Sequence, residues 1–160
     1  MELTLAPMYT RSISESSRAV EAVLSSETID GHGEIIDQGS WRLERYKLNP
    51  VVLLMHSPFN VIGHADRIRV EDGQLQARII FATTPAASET FRLFVDKAMR
   101  AFSVGFRVGR VEPETIDGRT VRRLMAPELF EVSAVSIASN PHALVKHKSL
   151  GLVPESFVQD

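Results

Sequence analysis

Ser103 is the first side chain whose setting suggests chemistry. It lies on a predicted strand whose other face is large and apolar, with Phe102, Val104 and Phe106. Its own face carries Gly105, which leaves room for a ligand or another backbone to approach. The hydroxyl could therefore be presented to a groove as a nucleophile. The alternation alone favours a plainer interpretation, a half-exposed strand serine beside a bulge.

His56 follows the apolar run Val51–Met55, which predicts a buried strand. Ser57-Pro58 is predicted to turn the chain directly after it. Histidine is the commonest general base, because imidazole titrates near neutral pH. A lone histidine at a strand end is more often an ordinary hydrogen-bonded residue, so its position alone does not assign a role.

Glu131 stands in Leu129–Val135, a predicted strand with no other charged residue. A carboxylate among apolar neighbours needs a partner that offsets its desolvation. A histidine N–H would serve, and the contact would also fix the tautomer that a base requires. A salt bridge to Arg122 or Arg123 would satisfy the carboxylate equally well.

Other chemistries have weaker support. The chain has no cysteine, so thiolate metal sites and a cysteine nucleophile are excluded. No phosphate-binding glycine loop and no Gly-x-Ser-x-Gly motif occurs, and we expect no cofactor. A hydrolase with a histidine metal site is an alternative, although the histidines lack the helical spacing of known motifs. They are His32, His56, His64, His142 and His147.

Length and charge predict one domain of ordinary composition. The chain has 160 residues, is 44% hydrophobic and 24% charged, and carries a net charge of -2. A net charge so close to zero does not indicate binding to nucleic acid or to an anionic membrane. We expect an N-terminal arm over residues 1–17, one domain over 18–148 and a C-terminal tail over 149–160.

The elements that must position these residues are mostly strands. Period-two alternation between turn signals predicts them through most of the chain, with Asp72-Gly73 as the best hairpin turn. One segment has helical spacing: Thr84 is a predicted N-cap, and an amphipathic helix should run from about Pro85 to Arg100. The predicted fold class is mainly β with helices, as a barrel or a curled sheet.

Taken together, these segments resemble the prohead (capsid maturation) proteases of tailed bacteriophages. The likeness extends over roughly Val20 to Ala143. The matching segments are Asn49-Pro50 with the strand that ends at His56, Ile62-Gly63, Phe102–Phe106, Glu131–Val135 and Ser139–Ala143. Each is a weak motif, but the ordered set is fairly specific.

The resemblance implies a closed β-barrel flanked by helices, as in the related herpesvirus maturation protease. It implies Ser103 as nucleophile, His56 as base and Glu131 as the residue that orients the base. The herpesvirus relatives use a second histidine in the third role, so His64 competes with Glu131. The Ser139-Asn140 turn is a candidate source of oxyanion donors.

The resemblance also implies substrates and a place of action. The substrates would be the scaffold region of the major capsid protein and the protease itself, cleaved inside the prohead in the host cytoplasm. A homodimer is expected by analogy with the herpesvirus enzymes, although the apolar stripe of the predicted helix could simply cover the sheet. The alternative function is a non-catalytic β-barrel module of capsid assembly with the same descent.

Overall fold

The computed structural model describes residues 10–30 and 32–137. Within them lie ten strands, two α-helices and one 3-10 helix, Gln38–Ser40. The strands are β1 Thr10–Ser14, β2 Ala19–Ser26, β3 Glu34–Ile36, β4 Val51–Leu54, β5 Ser57–Glu71, β6 Gln74–Phe81, β7 Ala101–Arg107, β8 Arg110–Ile116, β9 Arg119–Met125 and β10 Glu128–Val135. The helices are α1 Glu44–Leu48 and α2 Pro85–Val95.

Two sheets organise these strands. A seven-stranded sheet has the order β1-β2-β6-β5-β4-β10-β7, and a three-stranded sheet has the order β3-β9-β8. β10 therefore lies between β4, which it pairs in parallel, and β7, which it pairs antiparallel. This placement matters for function, because it brings together three strands that are far apart in the sequence.

The large sheet curls, but strand pairing does not close it into the barrel expected from the resemblance. Among the described residues, β1 and β7 are its two edges. One backbone hydrogen bond near these edges, from Thr10 N–H to the carbonyl of Arg100 at 3.1 Å, is not a strand ladder. Alternation shows which face of each strand is buried, and carries no information about whether the edges of the sheet meet.

The two Asp-Gly pairs form hairpin turns, as the sequence predicted. Asp72 and Gly73 have φ of 53° and 70° between β5 and β6, and Asp117 and Gly118 have 50° and 76° between β8 and β9. Positive φ at both central residues is the geometry that Asp-Gly favours in a two-residue hairpin loop. β1, by contrast, lies inside the segment predicted as an arm, and it pairs with β2.

Helix α2 begins as predicted and ends early. Thr84 is the N-cap, and its side chain accepts the N–H of Ala87 at 3.4 Å. The helix ends at Val95 rather than near Arg100, because Lys97 adopts a φ of 60° that a right-handed helix cannot contain. Neither helix in the described part of the chain is long and apolar enough to cross a membrane.

The apolar stripe of α2 packs on the chain's own sheet. Phe91 and Phe94 are buried, and their rings lie 5.2 and 5.6 Å from the ring of Phe81. Phe94 also stacks on Phe102 of β7 at 5.0 Å. Burial of these rings stabilises the sheet by roughly 1.5–3 kcal/mol per side chain. The stripe therefore forms core rather than a surface for a second copy.

Gly63 shows why one motif glycine is needed. A Cβ at this position would lie 2.1 Å from the backbone oxygen of Ile80 on the neighbouring strand β6. No side chain fits there without separating the two strands. The Ile62-Gly63 pair of the sequence motif thus serves the packing of the sheet.

Candidate functional site

His56 occupies a tight turn between β4 and β5. Leu54 pairs with Ser57, and the two residues between them, Met55 and His56, have φ of 52° and 61°. This is the sign pattern of a type I′ hairpin turn, which normally selects Asn and Gly. Left-handed backbone costs about 1–2 kcal/mol for an ordinary residue, so the turn that carries the histidine is strained.

The turn at His56 corrects the prediction that Ser57-Pro58 reverses the chain. Ser57 already belongs to β5, and the bend comes two residues earlier. Pro58 marks a bulge in β5 rather than the turn itself, because Val61 is the next residue of β5 after Ser57 that pairs with β4. Phe59, in this bulge, is 93% exposed.

Two hydrogen bonds donated by backbone N–H groups hold the strained turn against β10. The N–H of Met55 donates to the carbonyl oxygen of Ala134 at 3.0 Å. The N–H of His56 donates to the hydroxyl oxygen of Ser133 at 3.1 Å. The parallel pairing of β4 with β10 thus continues past the end of β4 and fixes the position of the imidazole.

Glu131 contacts His56 directly. Its Oε1 is hydrogen-bonded to Nδ1 of the imidazole, and both side chains are at most 2% exposed. Its Oε2 accepts the hydroxyl proton of Ser133 at 2.6 Å. Because an ionised carboxylate only accepts hydrogen bonds, Nδ1 carries the proton and Nε2 is the ring nitrogen that can receive one.

The two arginines considered as partners of Glu131 are engaged elsewhere. Arg122 pairs with Glu34. Arg123 pairs with Glu27, Asp37 and Glu114, and its hydrogen bonds to Glu114 and then Glu27 raise its pKa. Of the two partners that the sequence allowed, the structure therefore shows the histidine.

Tyr46 of α1 is a neighbour of the site that the sequence did not indicate. Its ring is buried and its hydroxyl donates to the carbonyl oxygen of Val51 at 2.9 Å. Burial raises the pKa of Tyr46, and the negative charge of Glu131 raises it further. The phenol consequently stays neutral, and it forms part of a poorly solvated surrounding for the carboxylate.

Ser103 lies on β7 directly opposite Ser133 of β10. Directly paired residues of neighbouring strands project to the same face of a sheet, so Ser103, Ser133 and Glu131 share one face. Ser103 is fully buried, so its hydroxyl is not presented to a groove, and the residue is not the half-exposed strand serine of the plainer interpretation either. Its Oγ has no hydrogen-bond partner among the described residues. An unsatisfied buried hydroxyl is unfavourable and calls for an explanation, of which a catalytic role is one; the hydroxyls of Thr10 and Ser26 also lack a partner among the described residues.

Ser103 and His56 are not hydrogen-bonded to each other, since the serine hydroxyl makes no hydrogen bond within the described part of the chain. Catalytic hydrogen bonds are often long in the absence of substrate and tighten when it binds. The structure thus joins His56 to Glu131. It places Ser103 on the same sheet face as Glu131, on the neighbouring strand β7.

Gly105 provides the space that Glu131 occupies. The two residues are paired across β7 and β10. A Cβ on Gly105 would lie 2.8 Å from Oε1 and 2.9 Å from Cγ of the glutamate. The glycine two residues after Ser103 therefore makes room for a side chain of the site rather than for a ligand.

His64 is not part of this cluster. It is exposed on β5, where it is paired with Val51 and Ile80. Its electrostatic neighbour is Asp66, whose pKa is lowered mainly by the hydrogen bond from Arg78 and slightly by His64. A group of acidic residues and histidines able to hold a metal does not occur among the described residues. His142, His147 and the Ser139-Asn140 turn lie outside them.

A serine hydroxyl, a histidine and a buried carboxylate that holds Nδ1 of the histidine are the groups that serine hydrolases use. The model of one protein family, described as Caudovirus prohead serine protease, matches residues 21–154. The chain belongs to that family, as the ordered motifs predicted.

Among solved structures, the chain is similar to the bacteriophage T4 capsid assembly protease, gp21. The identity is 13% and the TM-score 0.49, over 73% of this chain and 80% of that one. No curated protein matches the sequence.

The first prediction tests the space beside Glu131. Gly105→Ala should displace the carboxylate and weaken its bond to Nδ1, because the added methyl group overlaps the glutamate. We expect a loss of stability of about 1–3 kcal/mol and the loss of the Nδ1–H resonance of His56 in NMR spectra. Gly39→Ala is the control, since its Cβ would meet no atom closer than 3.9 Å. An unchanged resonance in Gly105→Ala would contradict this geometry.

A second prediction concerns strain in the turn. Met55→Gly and Met55→Ala both remove the side chain, but only glycine relieves the positive φ. The glycine variant should be the more stable by about 1 kcal/mol, a reversal of the usual order of these residues. Chemical denaturation of the two variants measures the difference. If alanine proves equal or better, the turn is not strained at Met55.

Proposed function

We propose that this chain is the serine endopeptidase of prohead maturation, with Ser103 as nucleophile, His56 as base and Glu131 as the residue that orients the base. The observation that carries the proposal is the buried Glu131–His56 pair, which shares a sheet face with a serine hydroxyl that lacks a partner among the described residues. The family supports the same conclusion, since its members are described as serine proteases.

The chemistry follows from the protonation of the imidazole. Nε2 of His56 takes the proton of the Ser103 hydroxyl while Oγ bonds to the carbonyl carbon of the substrate. When the tetrahedral intermediate collapses, the C–N bond breaks and His56 gives the proton to the leaving amine. Water then hydrolyses the acyl-enzyme by the same two transfers. Glu131 stabilises the imidazolium in each transition state. No cofactor takes part.

The proposed substrates are the scaffold region of the major capsid protein and the protease itself, cleaved within the prohead in the host cytoplasm. The family description supports this place of action. The net charge of -2 favours neither nucleic acid nor an anionic membrane as partner. A homodimer stays a prediction, and the buried stripe of α2 would not be its interface.

The burial of Ser103 bears on the competing function. The residue is inaccessible to solvent in this structure, so a polypeptide can reach it only if the site opens. This favours the alternative of a non-catalytic module of capsid assembly. Against it stands the cost of keeping a histidine in strained backbone, a buried carboxylate and an unsatisfied hydroxyl in a protein that does not use them.

The prediction that separates the two functions is the loss of the nucleophile. Ser103→Ala should abolish cleavage of the capsid protein and of the chain itself, and should not lower stability, because the hydroxyl makes no hydrogen bond to a described residue. Ser25→Ala is the matched control: Ser25 is a buried serine that accepts a hydrogen bond from Gln38, away from the site. Cleavage by Ser103→Ala at the wild-type rate would remove Ser103 from the mechanism.

A further prediction separates the two candidates for the third role. Glu131→Gln should slow cleavage by at least about tenfold, because the neutral amide cannot stabilise the imidazolium. His64→Gln should change the rate by no more than a few-fold, since His64 is exposed on another strand. The measurement is the rate of capsid-protein cleavage by variants shown to be folded. The opposite order of effects would assign the third role to His64.

A further inference from the structure

We propose that Ser133 is a positioning residue that fixes the orientation of His56 through Glu131. The inference rests on the proposed function and extends it to a residue outside the serine, histidine and glutamate already discussed. Its basis is the position of the Ser133 hydroxyl, which is bonded to both members of the buried pair.

The hydrogen bonds form a closed ring. The backbone N–H of His56 donates to Ser133 Oγ at 3.1 Å. Ser133 Oγ donates its proton to Oε2 of Glu131 at 2.6 Å. Oε1 of the same carboxylate accepts Nδ1–H of the imidazole. The backbone and the ring of one histidine are thus tied to one carboxylate, which restricts the rotation of the His56 side chain.

A hydroxyl completes this ring with a single atom. The backbone N–H is a donor and the carboxylate is an acceptor, so the group between them must accept one bond and donate another. The hydroxyl oxygen of serine or threonine accepts one hydrogen bond and donates another. Alanine and valine can do neither, and a thiol accepts and donates only weakly. The chemistry of the position therefore favours a hydroxyl over other small side chains.

The ring also acts on the strained backbone. His56 has a φ of 61°, which an unanchored non-glycine residue would tend to leave. The N–H of His56 is held by a side chain of β10, the hydroxyl of Ser133. The N–H of the preceding residue, Met55, is held by a backbone carbonyl of the same strand, that of Ala134. Loss of the Ser133 hydroxyl would therefore remove one hydrogen bond to the backbone of His56 and one to Glu131, which holds its imidazole.

Ser133 is less suited to be the nucleophile than Ser103, which lies opposite it. The proton of Ser133 is donated to Glu131, and the hydroxyl of Ser103 makes no such bond to a described residue. Attack by Ser133 would require the carboxylate to lose a partner while buried, which is unfavourable. The two paired serines therefore have different roles.

The test compares two side chains of equal shape. Ser133→Thr and Ser133→Val add the same bulk to a fully buried position and differ in the hydroxyl alone. Each variant of the full chain is treated with a fluorophosphonate probe, and the rate of labelling at Ser103 is measured by mass spectrometry. The NMR resonance of His56 Nδ1–H is recorded in parallel. Ser25→Ala controls for the loss of a buried serine hydroxyl elsewhere.

We expect Ser133→Val to label about ten- to a hundredfold more slowly than Ser133→Thr, the range for loss of a hydrogen bond to a charged group. Ser133→Val should also lose or shift the Nδ1–H resonance, which Ser133→Thr and Ser25→Ala should keep. A packing role alone would affect threonine and valine equally.

Equal labelling rates and equal resonances in the threonine and valine variants would overturn the role of Ser133. Failure of the wild-type chain to be labelled at Ser103 would contradict the proposed function instead. In that case the resonance still decides the role of Ser133, because it reports the orientation of His56 without any reaction.

Discussion

The site depends on a carboxylate buried in the middle of a sheet. Glu131 lies on β10, at most 2% of its side chain is exposed, and an unpaired charge there would cost several kcal/mol. Its two oxygens are instead bonded to the imidazole of His56 and to the hydroxyl of Ser133. Gly105 leaves the volume that the side chain fills. The position of the histidine, and with it the choice of the proton-accepting nitrogen, follows from this pairing.

Several local rules are broken around that carboxylate. His56 and Met55 have left-handed backbone without being glycine, and Ser103 has a buried hydroxyl without a hydrogen bond to a described residue. Each feature lowers stability, and sites of function are where natural proteins tolerate such features. Single features of these kinds also occur elsewhere: Arg18, Arg67, Lys97 and Ala126 have left-handed backbone, and the hydroxyls of Thr10 and Ser26 are buried without a hydrogen bond to a described residue. At β4, β7 and β10 these features coincide with a buried histidine–carboxylate pair, and that combination supports a functional site there.

The sequence could predict what depends on local patterns. Alternation indicated β10 as a strand, the absence of other charges from Leu129 to Val135 marked Glu131, and Asp72-Gly73 indicated the hairpin turn. It could not predict that Glu131 would pair with His56 rather than with an arginine, since either partner would offset the desolvation of the carboxylate. The role of Ser133 was hidden for a related reason: its bonds arise from the parallel pairing of β4 with β10, which no local pattern records. Closure of the sheet and the early end of α2 likewise depend on tertiary contacts.

In the proposed mechanism, Ser103 attacks the substrate while His56 is held by Glu131. The most direct measurement is a crystal structure of the chain after reaction with diisopropyl fluorophosphate, which bonds covalently to activated serines. We expect phosphorus bonded to Oγ of Ser103, with Nδ1 of His56 still hydrogen-bonded to Glu131. A chain that reacts at another serine, or one that reacts at Ser103 with His56 turned away from Glu131, would contradict this mechanism.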